Sequence, residues 1–122
     1  MALVLVVDDS SYARRIMRKN LEAAKHEVLE ADGGMAAIET YFLKRPDVVL
    51  LDLTMEDLSG VEVLRKLREI NSDVRVIVVS ADIQSSTNDL VKEAGAASFI
   101  GKPAPTHELL AAIDAAIGGS NV

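Results

Sequence analysis

Five short runs rich in Val, Leu and Ile punctuate the chain, at Leu3 to Val7, Glu27 to Ala31, Asp47 to Leu51, Val74 to Val79 and Ser98 to Ile100. The first, third and fourth are almost wholly apolar, the pattern of strands buried on both faces, whereas the second and fifth are more polar and suit sheet edges. Between them, apolar residues recur at helical spacing: Ala13, Ile16, Met17, Leu21 and Ala24, then Met35, Ile38 and Phe42, then Val61, Leu64 and Leu67, then Leu90, Val91 and Ala94. A last stripe runs through Leu109, Leu110, Ile113, Ala116 and Ile117. Local signals mark the ends: Ser59 with Glu62 as a capping box, Gly95 as a helix stop, Pro105 and Thr106 as a helix entry, and Gly118-Gly119 as its end. The predicted order is strand then helix, five times over. That order implies an α/β fold with a five-stranded parallel sheet, right-handed crossovers and helices on both faces. No linker interrupts it, so residues 1–122 read as one domain with a loose tail over 118–122.

In such a sheet, ligands collect at the carboxyl ends of the strands. There the sequence places Asp8-Asp9 after strand one, Asp52 after strand three, Ser80 after strand four and Lys102-Pro103 after strand five. Two carboxylates about 4 Å apart repel by about 4 kcal/mol at an effective dielectric near 20, so a third beside them calls for a cation. Magnesium fits, being hard, oxygen-seeking and content to share carboxylates with phosphate oxygens. Asp52 then reads as a nucleophile able to form an aspartyl-phosphate, with Lys102 and the Ser80 hydroxyl on the phosphoryl oxygens and the Thr54 carbonyl on the metal.

Composition narrows the alternatives. Lys and Arg number 13 against 19 Asp and Glu, a formal net charge of −6, which disfavours general binding to nucleic-acid backbones. The absence of Cys excludes disulfides and thiolate chemistry. No apolar run approaches 18 residues and no leader pattern opens the chain, so the expectation is a cytoplasmic domain with no membrane insertion.

The runs Val4-Leu5-Val6-Val7-Asp8-Asp9-Ser10, Pro46-Asp47-Val48-Val49-Leu50-Leu51-Asp52-Leu53-Thr54-Met55, Val78-Val79-Ser80-Ala81 and Phe99-Ile100-Gly101-Lys102-Pro103 jointly resemble the receiver domain of two-component response regulators, especially the single-domain chemotaxis type. The resemblance implies the doubly wound, flavodoxin-like strand order 2-1-3-4-5. It implies that Asp52 takes a phosphoryl group from a sensor histidine kinase. Asp9 would be a direct magnesium ligand and Asp8 would act mainly through water, while Asp52 and the Thr54 carbonyl would complete the protein's share. Ser80 and Phe99 match the switch pair, Lys102 matches the phosphate lysine, and Lys102-Pro103 matches a bond often cis in the family. Output would pass through helix four, strand five and helix five, over residues 84–94, 98–100 and 106–117, to a downstream protein or a second copy of the chain. Thr54 and Asp82 would tune phosphoryl lifetime. Two departures stand out: Glu56, followed by Asp57, where the family often has Pro, and Ala104 where Phe is common.

Other readings compete. An aspartate-nucleophile phosphatase of the haloacid dehalogenase type needs an Asp two residues after Asp52, where this chain has Thr54. A dinucleotide site needs a Gly-rich turn after strand one, where it has Asp8-Asp9-Ser10-Ser11. Arg14, Arg15, Arg18 and Lys19 read as a solvated face, His26 and His107 as surface residues, and Gly33-Gly34 as a turn before helix two.

Overall fold

The computed structural model describes residues 2–81 and 85–118. Five parallel strands, β1 (Leu3–Val7), β2 (Glu27–Ala31), β3 (Val48–Leu51), β4 (Val76–Ser80) and β5 (Ser98–Gly101), lie in the order β2-β1-β3-β4-β5. They alternate with helices α1 (Ser11–Ala23), α2 (Gly34–Lys44), α3 (Gly60–Ile70), α4 (Ser85–Glu93) and α5 (Thr106–Gly118). This is the flavodoxin-like arrangement expected from the resemblance.

Because side chains alternate across a strand, each central strand feeds two cores. Leu5, Val7, Val49, Leu51, Val76 and Val78 face a core closed by Ala37 and Tyr41 of α2, Val63, Leu64 and Leu67 of α3, and Val91 of α4. Val4, Val6, Val48, Leu50, Ile77 and Val79 face the opposite core, closed by Leu21 of α1 and Leu109 and Ile113 of α5. The continuous apolar runs are thus strands covered on both sides.

The ends of elements follow the local chemistry with some corrections. Ser59 caps α3: its Oγ accepts from the Glu62 amide and donates to the Glu62 carboxylate, each at 3.2 Å. Gly95, at φ +98°, reverses the chain after α4. Strand β4 starts at Val76 rather than Val74, although Val74 is buried. Asp47 lies before β3, its carboxylate accepting from the Leu3 amide at 2.8 Å. Gly118 is the last residue of α5, in keeping with the helix end read at Gly118-Gly119, and the rest of the expected loose tail, 119–122, lies outside the described residues.

Helical spacing does not by itself mark burial. Ile16, Met35, Phe42 and Leu90 share their helices' apolar periodicity yet are exposed. On α2 the buried side chains are Ala37 and Tyr41, whose hydroxyl accepts from the Asn71 side chain at 3.0 Å. His26 is buried, not a surface residue, because Nδ1 accepts from the Ala2 amide at 3.0 Å and so ties the start of β1 to the start of β2. His107 is exposed, as expected.

Candidate functional site

Register brings the acids together. Val7 pairs with Leu51, so the residues that follow, Asp8 and Asp52, leave neighbouring strands side by side. The Asp52 amide donates to the Val7 carbonyl at 3.0 Å and the Asp8 amide to the Ala31 carbonyl at 3.1 Å, fixing both strand exits. Ser80 pairs with Gly101, which delivers Lys102 to the same rim, and the Lys102 amide donates to the Ser80 carbonyl at 2.9 Å.

Oxygens from the carboxylates of Asp8, Asp9 and Asp52 lie within 4.8 Å of one another. Asp8 and Asp52 are buried and Asp9 is exposed. Lys102 spans the buried pair, its Nζ donating to Asp8 Oδ2 at 2.7 Å and standing 3.5 Å from Asp52 Oδ2. Asp8 Oδ1 also accepts from the Ser10 amide at 2.9 Å, so both of its oxygens are engaged. Burial pushes the Asp52 carboxyl above its ordinary pKa, outweighing the Lys102 charge and the Thr54 amide that favour the ionised form. Burial also works against the Lys102 ammonium, but the hydrogen bond to Asp8 and the charges of Asp52 and Asp8 prevail, and its pKa is raised.

The donor set suits magnesium. Hard carboxylate oxygens converge, one of them on an exposed residue open to a hydrated ion. Receiver domains bind magnesium in an acidic pocket of this kind.

The other expected residues fall around this centre. Thr54 is exposed, its amide donating to Asp52 Oδ1 at 3.3 Å. The Ser80 side chain is fully buried at the end of β4. Phe99 is half-buried on β5 and packs against the core under α3 and α4. The Lys102-Pro103 bond is cis. Asp82 and Gln84, expected to tune phosphoryl lifetime and to begin the output surface, lie outside the described residues.

Several supporting residues escaped the sequence reading. Arg14 and Arg18 do not form a free solvated face, because both pair with Glu30 of β2, at 3.0 and 2.6 Å. Arg14 also donates to the Asp8 carbonyl at 2.6 Å, bracing the turn that carries the acid pair. Arg15 and Lys19 are exposed, as expected. Gly60 lets α3 start against the chain just past Asp52, since a Cβ there would stand 2.6 Å from Leu53 Cα. Asp57 reaches across to the start of α2, where its carboxylate accepts from the Gly34 and Met35 amides. Gly33 gives α2 no capping side chain of its own, but nothing in the local sequence names Asp57, 23 residues after Gly34, as the group that fills the gap.

Residues 4–114 match the response regulator receiver domain family. The chain is 35% identical over 112 residues to the chemotaxis protein CheY of Bacillus subtilis, covering 91% of this chain and 93% of that protein. It is 39% identical over 117 residues to the transcriptional regulatory protein KdpE of Mycobacterium tuberculosis, covering 96% of this chain and 51% of that regulator. It therefore spans nearly all of the former and about half of the latter. A response regulator receiver domain protein from Clostridium thermocellum superimposes with a TM-score of 0.94 at 28% identity, covering 99% and 98% of the two chains. Receiver domains are regulatory phosphoacceptor switches that partner with histidine kinases and downstream effectors. By sequence and by fold, the chain belongs to the response regulator receiver domain family.

Proposed function

We propose that Asp52 is the phosphoacceptor of this chain, charged by a sensor histidine kinase in a magnesium-dependent transfer. The observation that carries this reading is the Lys102 ammonium set between the buried carboxylates of Asp8 and Asp52, with Asp9 open to solvent beside them. A bond forms between an Asp52 carboxylate oxygen and phosphorus as the phosphorus–nitrogen bond to the kinase histidine breaks, and the leaving imidazole takes up a proton. Asp8, Asp9, the Asp52 carboxylate and the Thr54 carbonyl would hold magnesium, which when bound offsets charge on the phosphoryl oxygens. In this reading Lys102 would contact one of those oxygens after a small movement from Asp8, and the Ser80 hydroxyl would contact another. Transfer needs the ionised form of Asp52, which its burial opposes and the cations favour.

In this reading the added charge draws Ser80 inward, Phe99 changes rotamer, and the surface of α4, β5 and α5 changes for a downstream protein or a second copy of the chain. Thr54, exposed beside the nucleophile, brings no carboxamide to orient an attacking water and so contributes to phosphoryl lifetime. The direct test is incubation with acetyl phosphate and magnesium, then borohydride reduction and peptide mass spectrometry. Label is expected on Asp52, and absent from Asp52→Asn and from protein treated with EDTA. Wild-type labelling of Asp52→Asn would overturn the assignment.

A further inference from the structure

The segment between β3 and α3 runs from Asp52 to Ser59, and its midpoint is fastened to another element. Asp57 Oδ1 accepts from the Gly34 amide at 2.9 Å and from its neighbour Leu58 at 2.8 Å, while Oδ2 accepts from the Met35 amide at 3.0 Å. The first amides of a helix have no partner within it and carry partial positive charge, so a carboxylate there satisfies both needs. Helix α2 cannot supply one, because its N-cap is Gly33 and makes no side-chain cap bond. Gly33 is also what admits the visitor: a Cβ on it would stand 3.1 Å from both Asp57 carboxylate oxygens. These amides, Met35 first and Gly34 next, hold the Asp57 carboxyl below its ordinary pKa.

The fastening matters because of what lies in the same segment. Thr54 sits three residues before Asp57, and Glu56 stands where a Pro would have fixed the backbone torsion. Beyond the local bonds from the Thr54 amide to Asp52 and from the Gly60 amide to the Leu53 carbonyl, Asp57 supplies hydrogen bonds that tie this stretch to α2, with Leu58 packed against Gly34 beside it. Its carboxylate, already shared among three amides, is poorly placed to serve as a further metal ligand.

Building on the reading of Asp52 as the phosphoacceptor, we propose that Asp57 is a positioning residue for phosphorylation: by capping α2 from outside the helix, it holds the Thr54 side of the magnesium site in place. The prediction is a weakened cation site with an intact chemical step. Four proteins decide it: wild type, Asp57→Ala, Asp57→Asn and Gly33→Ala. Magnesium affinity is read from amide chemical shifts in the absence of phosphodonor. The rate of labelling by acetyl phosphate is read across magnesium concentrations. Hydrogen exchange reports protection of the Gly34 and Met35 amides.

Asp57→Ala should raise the magnesium dissociation constant and the half-saturating magnesium concentration together, by about fivefold on the scale of a lost helix cap. The labelling rate at saturating magnesium should stay within about twofold, the signature of a binding rather than a chemical defect. Asp57→Asn keeps an acceptor for Gly34 and Leu58 and should recover most of the affinity. Gly33→Ala, which displaces the carboxylate without removing it, should fall between. Wild-type magnesium affinity in Asp57→Ala despite lost protection at Gly34 and Met35 would overturn the inference, as would a loss that Asn does not rescue. A wild-type protein that binds magnesium but takes no phosphoryl group would instead overturn the reading of Asp52, and the magnesium titrations would still decide the role of Asp57.

Discussion

Lys102 serves two buried carboxylates in different settings: Asp8, whose two oxygens are both engaged, and Asp52, whose burial raises its pKa. Lys102→Met keeps much of the stem and removes the charge, leaving the acids to repel one another. In magnesium-free buffer at pH 7 we expect a loss of about 2 kcal/mol by urea unfolding, below the full cost of breaking a buried pair because the Lys102 side chain is 26% exposed. The deficit should shrink as pH falls and the acids protonate; a constant deficit would show that lost packing, not charge, is responsible. Asp52→Asn should act in the opposite sense. Burial raises the Asp52 pKa above its ordinary 3.8, so the native state keeps that proton to higher pH than the unfolded chain does. The resulting stabilisation is present below 3.8 and is lost as pH climbs through the raised value. At this scale the charged and polar residues of the rim were legible in the sequence because Asp8-Asp9, Asp52 and Ser80 end or directly follow apolar runs, and Lys102 follows the short run of β5. Asp57 and His26 were not, since their partners lie 23 and 24 residues away and no local pattern points to them.

Elements were readable where one kind of burial dominates. The central strands announce themselves by unbroken apolar runs, and α3 by both its stripe and its Ser59 cap. Helices α2 and α4 were less legible, because periodicity identifies an apolar face without saying which edge of it turns inward; Phe42 belongs to the helical period of α2, yet Tyr41 beside it is the residue buried. Glycines were similarly hard to rank from sequence. Gly60 meets the Leu53 backbone, which cannot step aside as a flexible side chain would, whereas a Cβ on Gly118 at the end of α5 meets nothing within 4 Å. Gly60→Ala should therefore cost about 2 kcal/mol or more and disturb amides around Asp52, while Gly118→Ala should be neutral or stabilise by a few tenths of about 1 kcal/mol. Equal thermal midpoints for the two variants would contradict this account.

Across the whole molecule, the rim is braced from outside by the Glu30 network, which joins β2 to α1 and, through Arg14, to the turn at Asp8. The hydrogen bond from Arg18, assisted by Arg14, holds the Glu30 carboxyl below its ordinary 4.5. A lowered native pKa stabilises fully above 4.5 and is lost as pH falls through the lower folded value. Glu30→Gln should thus be less stable than wild type at pH 7 by about 0.5 kcal/mol, the scale of partly exposed pairs, and the two should converge in acid. A gap that persists into acid would refute the electrostatic origin. Among the described residues no helix is long and apolar enough to cross a membrane. The sheet itself acts as a partition, with Val49 facing the core under α2, α3 and α4, and Leu50 the core under α1 and α5. Covalent neighbours are therefore energetic strangers. Truncating Val49 and Leu50 together should cost the sum of the separate losses to within about 0.5 kcal/mol, whereas Val49 with Leu64, distant in the chain but in one core, should depart from additivity. Sequence can thus drift in one core with little accommodation from the other.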